Sequence, residues 1–159
     1  MDAAAAPILF DARRIYLDLP GGSMEETLSA MARRLEASGD VKDAAALTAK
    51  LLEREKLGCT GLGNGLAIPH GKIPGLEGVL LAIGVVPGGV DFRALDGRPV
   101  RLVLLVISPA DSPAGHLQAL ARISRIVKSP GVTEAILSAG SPEEVARVLR
   151  EAESRIAPA

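Results

Sequence analysis

The sequence predicts a single α/β domain, a mixed β-sheet flanked by α-helices on both faces. Three observations carry this. Two runs, "VLLAIGVV" (residues 79–86) and "VRLVLLVIS" (residues 100–108), are continuously apolar and rich in β-branched residues, as strands covered on both faces are. Four segments space apolar side chains at three- and four-residue intervals, two of them behind a serine cap. The chain has 159 residues, no internal repeat and no linker long enough to divide it, so helices and strands must share one core.

Taken in order, "RIYLDL" (residues 14–19) alternates polar and apolar residues before "PGG" and reads as a half-buried strand ended by a turn. Ser23 with Glu26 three residues on forms a capping box for a helix over 23–37, with Met24, Leu28, Met31 and Leu35 on one face. A second helix is expected from Asp40, turning Val41, Ala44, Thr48, Leu51 and Leu52 inward and stopping at Gly58. The two apolar strands follow, separated by a "PGG" turn, a short "VDF" and a turn at Asp96-Gly97. "HLQALARISRIV" predicts a helix with Leu117, Leu120, Ile123 and Val127 inward, and His116 at its start. A last helix is capped by Ser141, with Pro142 at its first position and Val145, Val148, Leu149 and Ala152 as its stripe. The domain is expected over residues 8–152, with flexible termini at 1–7 and 153–159.

Composition narrows the function. Basic and acidic residues number 18 and 19, so no global field favours nucleic acid or an anionic membrane. One tyrosine, two phenylalanines and no tryptophan argue against base-stacking platforms. The single cysteine, Cys59, excludes an internal disulfide and a multi-cysteine zinc site. The N-terminus has no signal-peptide pattern and no apolar run spans a bilayer; a soluble cytoplasmic protein with no direct membrane insertion is expected.

The chemistry concentrates in "GLGNGLAIPHGKIPG" (residues 61–75). Pro69 fixes its own φ and pushes Ile68 to an extended conformation, and Gly71 lets the chain turn after His70. A rigidly held neutral imidazole suits a nucleophile. A phosphoryl group is the natural electrophile, because its transfer asks the protein mainly for positioning and for donors to three charged oxygens. Gly61, Gly63, Gly65 and Gly71 would allow backbone N–H groups to form an anion-binding nest, with Thr60 and Asn64 adding side-chain donors. The glycine spacing fits neither a Walker loop nor a dinucleotide fingerprint. The second histidine, His116, would bind phosphate at a helix N-terminus while staying neutral. Arg54, near the end of the second helix, either caps that helix or grips phosphate oxygens. Arg122, Arg125 and Lys128 read as a solvated face or one that meets an acidic partner. With two histidines and no third ligand at a telling spacing, no metal is expected, and no cofactor. Neither a nucleophile elbow nor a catalytic setting for Cys59 is present.

"LLEREKLGCTGLGNGLAIPHGKIPG", "VDFRALDGRPVRLVLLVISPAD" and "GHLQALARISRIV" together resemble the enzyme IIA domain of the phosphoenolpyruvate-dependent phosphotransferase system, fructose/mannitol class. The resemblance spans residues 8–149 and is most specific between 51 and 127. It implies a mixed sheet between helices, His70 as acceptor of a phosphoryl group from the histidine phosphocarrier protein, His116 as phosphate stabiliser and Arg54 as oxyanion contact. Downstream it implies a regulatory target protein or a permease domain. Two positions depart from the family's pattern: Cys59 stands where serine is expected, and Arg93 replaces an acidic residue. The sequence carries no sugar-translocating or sugar-phosphorylating domain, which favours the nitrogen-regulatory branch over sugar uptake. The competing reading is a non-catalytic protein-binding module on the same fold, using an apolar rim of Leu62, Leu66, Ile68, Ile73 and Leu76. In the carrier reading, that rim docks the donor and keeps water from the phosphohistidine.

Overall fold

The structure, a computed structural model, describes residues 10–156. Its spine is an antiparallel pair, β6 (Leu80–Asp91) with β7 (Val100–Pro109). Residues 80–86 of β6 and all of β7 except Arg101 are buried, which explains why the two runs are continuously apolar rather than alternating. On one side of this pair, β1 (Ile15–Tyr16) and β2 (Gly22–Ser23) lie parallel to β6. On the other, β4 (Leu66–Ala67) and β5 (His70–Ile73) follow one another parallel to β7, and β3 (Gly61–Gly63) closes the edge against β4.

Helices α1 (Met24–Ala37) and α2 (Ala44–Leu57) cover one face, packing Leu28, Met31, Leu35, Leu47 and Leu51 on Val86, Val103, Leu105 and Ile107. Helices α3 (Pro113–Lys128), α4 (Val132–Ser138) and α5 (Pro142–Arg155) cover the other, packing Ile123, Ile126, Ile136, Val145 and Leu149 on Leu102, Leu104 and Val106. Alternate residues of β7 thus feed two cores, and the fold is the mixed sheet with helices on both faces that the sequence predicts. Ser23 caps α1 by accepting from the Glu26 N–H at 3.0 Å, and Ser141 caps α5 from the Glu144 N–H at 3.2 Å.

Several local expectations are corrected. The first strand shrinks to Ile15–Tyr16, both buried, after a 3-10 turn at Ala12–Arg14. Helix α2 begins at Ala44 with Asp43 as its cap; Asp40 is held by Arg14 at 2.9 Å and by the Ser38 hydroxyl at 2.6 Å. Thr48 and Leu52 are only half-buried, and Leu47 takes the inward place. The "PGG" of residues 87–89 is a bulge inside β6 rather than a turn, where the register shifts between Val85 and Val90. Gly89 makes it possible with φ 75°, since a Cβ there would lie 2.9 Å from Pro99. Helix α3 begins at Pro113, and its buried face is His116, Ala119, Ile123, Ile126 and Val127; Leu117 is 67% exposed. Helix α4 has no signature in the sequence, because seven residues behind a glycine give too short a periodic pattern. Helix α5 continues through Arg155, so residues 153–155 are helical, tied in by a salt bridge from Arg122 to Glu153. The proposed flexible stretches 1–7 and 157–159 lie outside the described residues.

The glycine-rich segment resolves into β3, β4 and β5. Asn64 and Gly65, at φ 57° and 80°, form the two-residue turn joining β3 to β4. Positive φ at both positions is what a type I′ hairpin demands, and Asn-Gly supplies it. The Asp96 carboxylate fixes the turn by accepting from the Asn64 N–H at 2.8 Å. Replacing Gly65 by alanine puts a Cβ in the left-handed region and should lower unfolding stability by about 1 kcal/mol, read as a lower urea midpoint. The phosphoryl acceptance that the resemblance implies should be unchanged, because Gly65 does not line the cleft that holds His70; a nest role would make it fall.

Candidate functional site

Three elements meet at the free edge of the sheet. β5 lies there because Pro69, without an N–H, is tolerated at an edge, while its carbonyl still accepts from the Val106 N–H at 3.0 Å. Leu66 and Ile68 feed the α3 side of the core and Ala67 the α2 side. The alternation turns His70, at the start of β5, to the α3 side. Helix α2 and helix α3, from opposite faces, bracket the strand. Between them is a cleft of ≈ 410 Å³ lined by Lys50, Glu53, Arg54, Leu57, His70, Gly71, Lys72, His116, Leu117 and Leu120.

The two rings lie with centroids 5.4 Å apart, tilted by 52°. Nδ1 of His70 is 2.8 Å from the Ile68 carbonyl oxygen. A carbonyl only accepts, so Nδ1 carries the proton and the lone pair of the neutral ring is on Nε2. Arg54 donates its Nε–H to that Nε2 at 3.1 Å and an Nη1–H to the Gly58 carbonyl at 3.0 Å. His116 is 5% exposed, with Nδ1 2.6 Å from the Ser108 hydroxyl.

Both imidazoles favour neutrality. Burial pushes the His70 pKa below the ordinary 6.5, the Ile68 carbonyl opposes this, and the Arg54 charge adds to it. Burial likewise lowers that of His116, helped by the charges of His70, Lys72 and Arg54. Both should therefore titrate below pH 6.5 in ring-resolved NMR. The unfolded chain binds more protons just below pH 6.5, so stability present above that pH declines as pH falls through the folded-state values. Titration at or above 6.5 would contradict the buried placement of the rings.

The structure brings His70, His116, Arg54 and Gly71 into one cleft. It does not bring the rest of the expected phosphate loop there. Thr60, Gly61, Gly63, Asn64 and Gly65 are absent from the lining, and their groups serve the fold. The Thr60 N–H and hydroxyl both bond to Glu55, and the Gly65 carbonyl accepts from Arg101 and Leu102. Nor do the five rim residues form a rim. Leu66 and Ile68 are each 6% exposed and belong to the core, while Ile73 and Leu76 line a separate groove of ≈ 1350 Å³. Leu62 is 42% exposed on the hairpin, away from the cleft. The apolar residues around His70 are instead Leu57, 83% exposed, with Leu117 and the half-buried Leu120. Lys50, Glu53 and Leu57 recur with Arg54 at helical spacing, a signal present in the sequence; Lys72 follows His70 at strand spacing. Cys59 bonds through Sγ to the Phe92 carbonyl and the Gly61 N–H, each at 3.1 Å, so it braces the hairpin. Arg93 is exposed, with φ 55°. Among the described residues no group of three His, Cys, Asp or Glu is placed to hold a metal ion. No helix there is long and apolar enough to cross a membrane.

Comparison with known proteins gives these features relatives. A nitrogen regulatory protein of Pseudomonas aeruginosa is 33% identical over 136 residues, 86% of this chain and 88% of that protein. Another, from Bradyrhizobium diazoefficiens, is 40% identical over 99 residues, which is 62% of this chain and 65% of its relative. A fructose-specific EIIA component of Haloferax volcanii is 32% identical over 151 residues, covering 95% and 98% of the two chains. The crystal structure of the nitrogen regulatory protein IIA-Ntr from Neisseria meningitidis superposes with a TM-score of 0.80 at 32% identity, covering 87% of this chain and 94% of that one. Residues 8–152 match the family described as "Phosphoenolpyruvate-dependent sugar phosphotransferase system, EIIA 2", and with this fold and these relatives the chain belongs to that family.

Proposed function

We propose that this protein is a cytoplasmic phosphohistidine carrier, taking a phosphoryl group on Nε2 of His70 from the histidine phosphocarrier protein. The observation that carries the reading is the Nε2 lone pair, fixed by the Nδ1–H bond to Ile68 and facing a cleft that also holds His116 and Arg54, whose Nε–H it accepts. In the transfer, the lone pair forms the new N–P bond as the donor's P–N bond breaks, its electron pair returning to the donor imidazole. Nδ1 of His70 keeps its proton and continues to donate it to the Ile68 carbonyl, so no base is needed, and the charge gained by the ring is balanced by the phosphoryl oxygens. Arg54 must leave Nε2 as phosphorus arrives, and its guanidinium then meets those oxygens. Leu57 and Leu117 surround the cleft as the apolar surface on which the donor docks.

The nitrogen-regulatory relatives support a role in which the phosphorylation state of His70 controls a target protein in nitrogen or metabolic regulation. The match to a fructose-specific EIIA component along almost its whole length supports a second reading, onward transfer to a sugar permease domain. The experiment is incubation with phosphoenolpyruvate, the system's first enzyme and its histidine phosphocarrier. The expected result is gain of one acid-labile phosphoryl group by mass; an unmodified wild type would sink the carrier reading in favour of a non-catalytic binding module. Discharge on adding a sugar-specific permease domain would favour the second reading over the regulatory one.

A further inference from the structure

Ser108 brings a buried hydroxyl to the edge of the site. It lies on β7, where its Cα pairs with that of Lys72 on β5, and it is fully buried. A hydroxyl in an otherwise apolar run must spend its proton on an acceptor, or leave a buried donor unmet. Among the described residues, the hydrogen-bond partner of its Oγ is Nδ1 of His116, at 2.6 Å. If the imidazole donated there instead, the Ser108 proton would have nowhere to go. The reverse direction satisfies both groups.

We infer that Ser108 is a positioning residue: its hydroxyl donates to Nδ1 of His116, which places that ring's proton on Nε2 and presents an N–H donor to the phosphoryl group on His70. The inference rests on the phosphoryl-carrier reading of His70. The two histidines are then held in opposite tautomers by two different partners. The Ile68 carbonyl keeps the His70 proton on Nδ1 and bares a nucleophilic Nε2; the Ser108 hydroxyl does the opposite for His116. A neutral ring with its proton on the wrong nitrogen would turn a second lone pair towards the phosphoryl oxygens and repel them. An imidazolium would also donate, but beside Arg54 and Lys72 it meets like charge. The hydroxyl therefore yields a donor at the site without adding a charge.

The test is long-range ¹H–¹⁵N NMR of the imidazole nitrogens in the unphosphorylated protein, above the titration range. Wild type should show His116 protonated on Nε2 and His70 on Nδ1. Ser108→Ala should leave the fold and the His70 tautomer intact, mix the His116 tautomers, and slow phosphoryl acceptance about tenfold. Ser108→Cys, a weaker donor of similar size, should fall between the two. A wild-type His116 protonated on Nδ1, or a Ser108→Ala protein with unchanged His116 tautomer, overturns the inference. The tautomer reading needs no phosphate, so a correct tautomer with an unlabelled wild-type His70 would instead defeat the carrier reading and, with it, the use assigned to Ser108.

Discussion

His70→Ala should gain no phosphoryl group from a phosphorylated donor under conditions that label wild type completely. The loss is total because no neighbour can substitute. Nδ1 of His116 is occupied by Ser108, and that ring is buried on the inner face of α3. His70→Gln is the more searching variant: the amide keeps polar bulk in the cleft but has no nucleophilic nitrogen. It should be equally inert in labelling while unfolding within about 0.5 kcal/mol of wild type, as expected for a half-buried polar change. Mass spectrometry of the intact protein after reaction checks both. Labelling of either variant at the wild-type rate would assign the chemistry to another residue.

Arg54→Ala is expected to slow phosphoryl acceptance by about 10²-fold, ~2.7 kcal/mol in the barrier, the usual loss when one donor to a transferring oxyanion is removed. The structure supplies a check that the loss is chemical rather than architectural. The Arg54 charge lowers the pKa of both histidines, so its removal must raise both. If the rate falls and the two pKa values rise while the unfolding midpoint holds, Arg54 acts on the site directly. Arg54→Lys should restore the pKa values more fully than the rate, because an ammonium supplies the charge but not the planar fork that reaches Nε2 and the Gly58 carbonyl together. An unchanged rate in Arg54→Ala would reduce this residue to a cap on α2.

How legible this was in the sequence depended on the range of the interactions. The β6–β7 pair and helices α1 and α5 could be read because burial on both faces and serine caps leave local signatures. The hairpin at Asn64-Gly65 could have been read too. Its glycines suggested a phosphate nest, but Asn-Gly between short apolar runs is a turn signal, and the turn uses the backbone groups a nest would need. Leu66 and Ile68 misled for a related reason: two residues of strand do not make a visible alternation, so core residues looked exposed. Phase was the difficulty in α3. Taking its stripe from Leu117 instead of His116 rotated the helix, exposing His116 and hiding the leucine that borders the cleft. Ser108 lay beyond sequence reasoning altogether, because its meaning depends on a histidine eight residues later, on a helix that folds back over the strand that holds it.

The cleft takes Arg54 from the layer that rests on one core and His116 from the layer that rests on the other, with His70 on the strand between. Neither half of the protein owns the site. A chain in which only one helical layer has docked carries the His70 ring without one of its two attendants, and as a carrier it should accept a phosphoryl group more slowly than the complete fold. In the proposed carrier, phosphoryl acceptance would thereby report on completed folding, since both helical layers must be docked for His70 to have both side chains beside it.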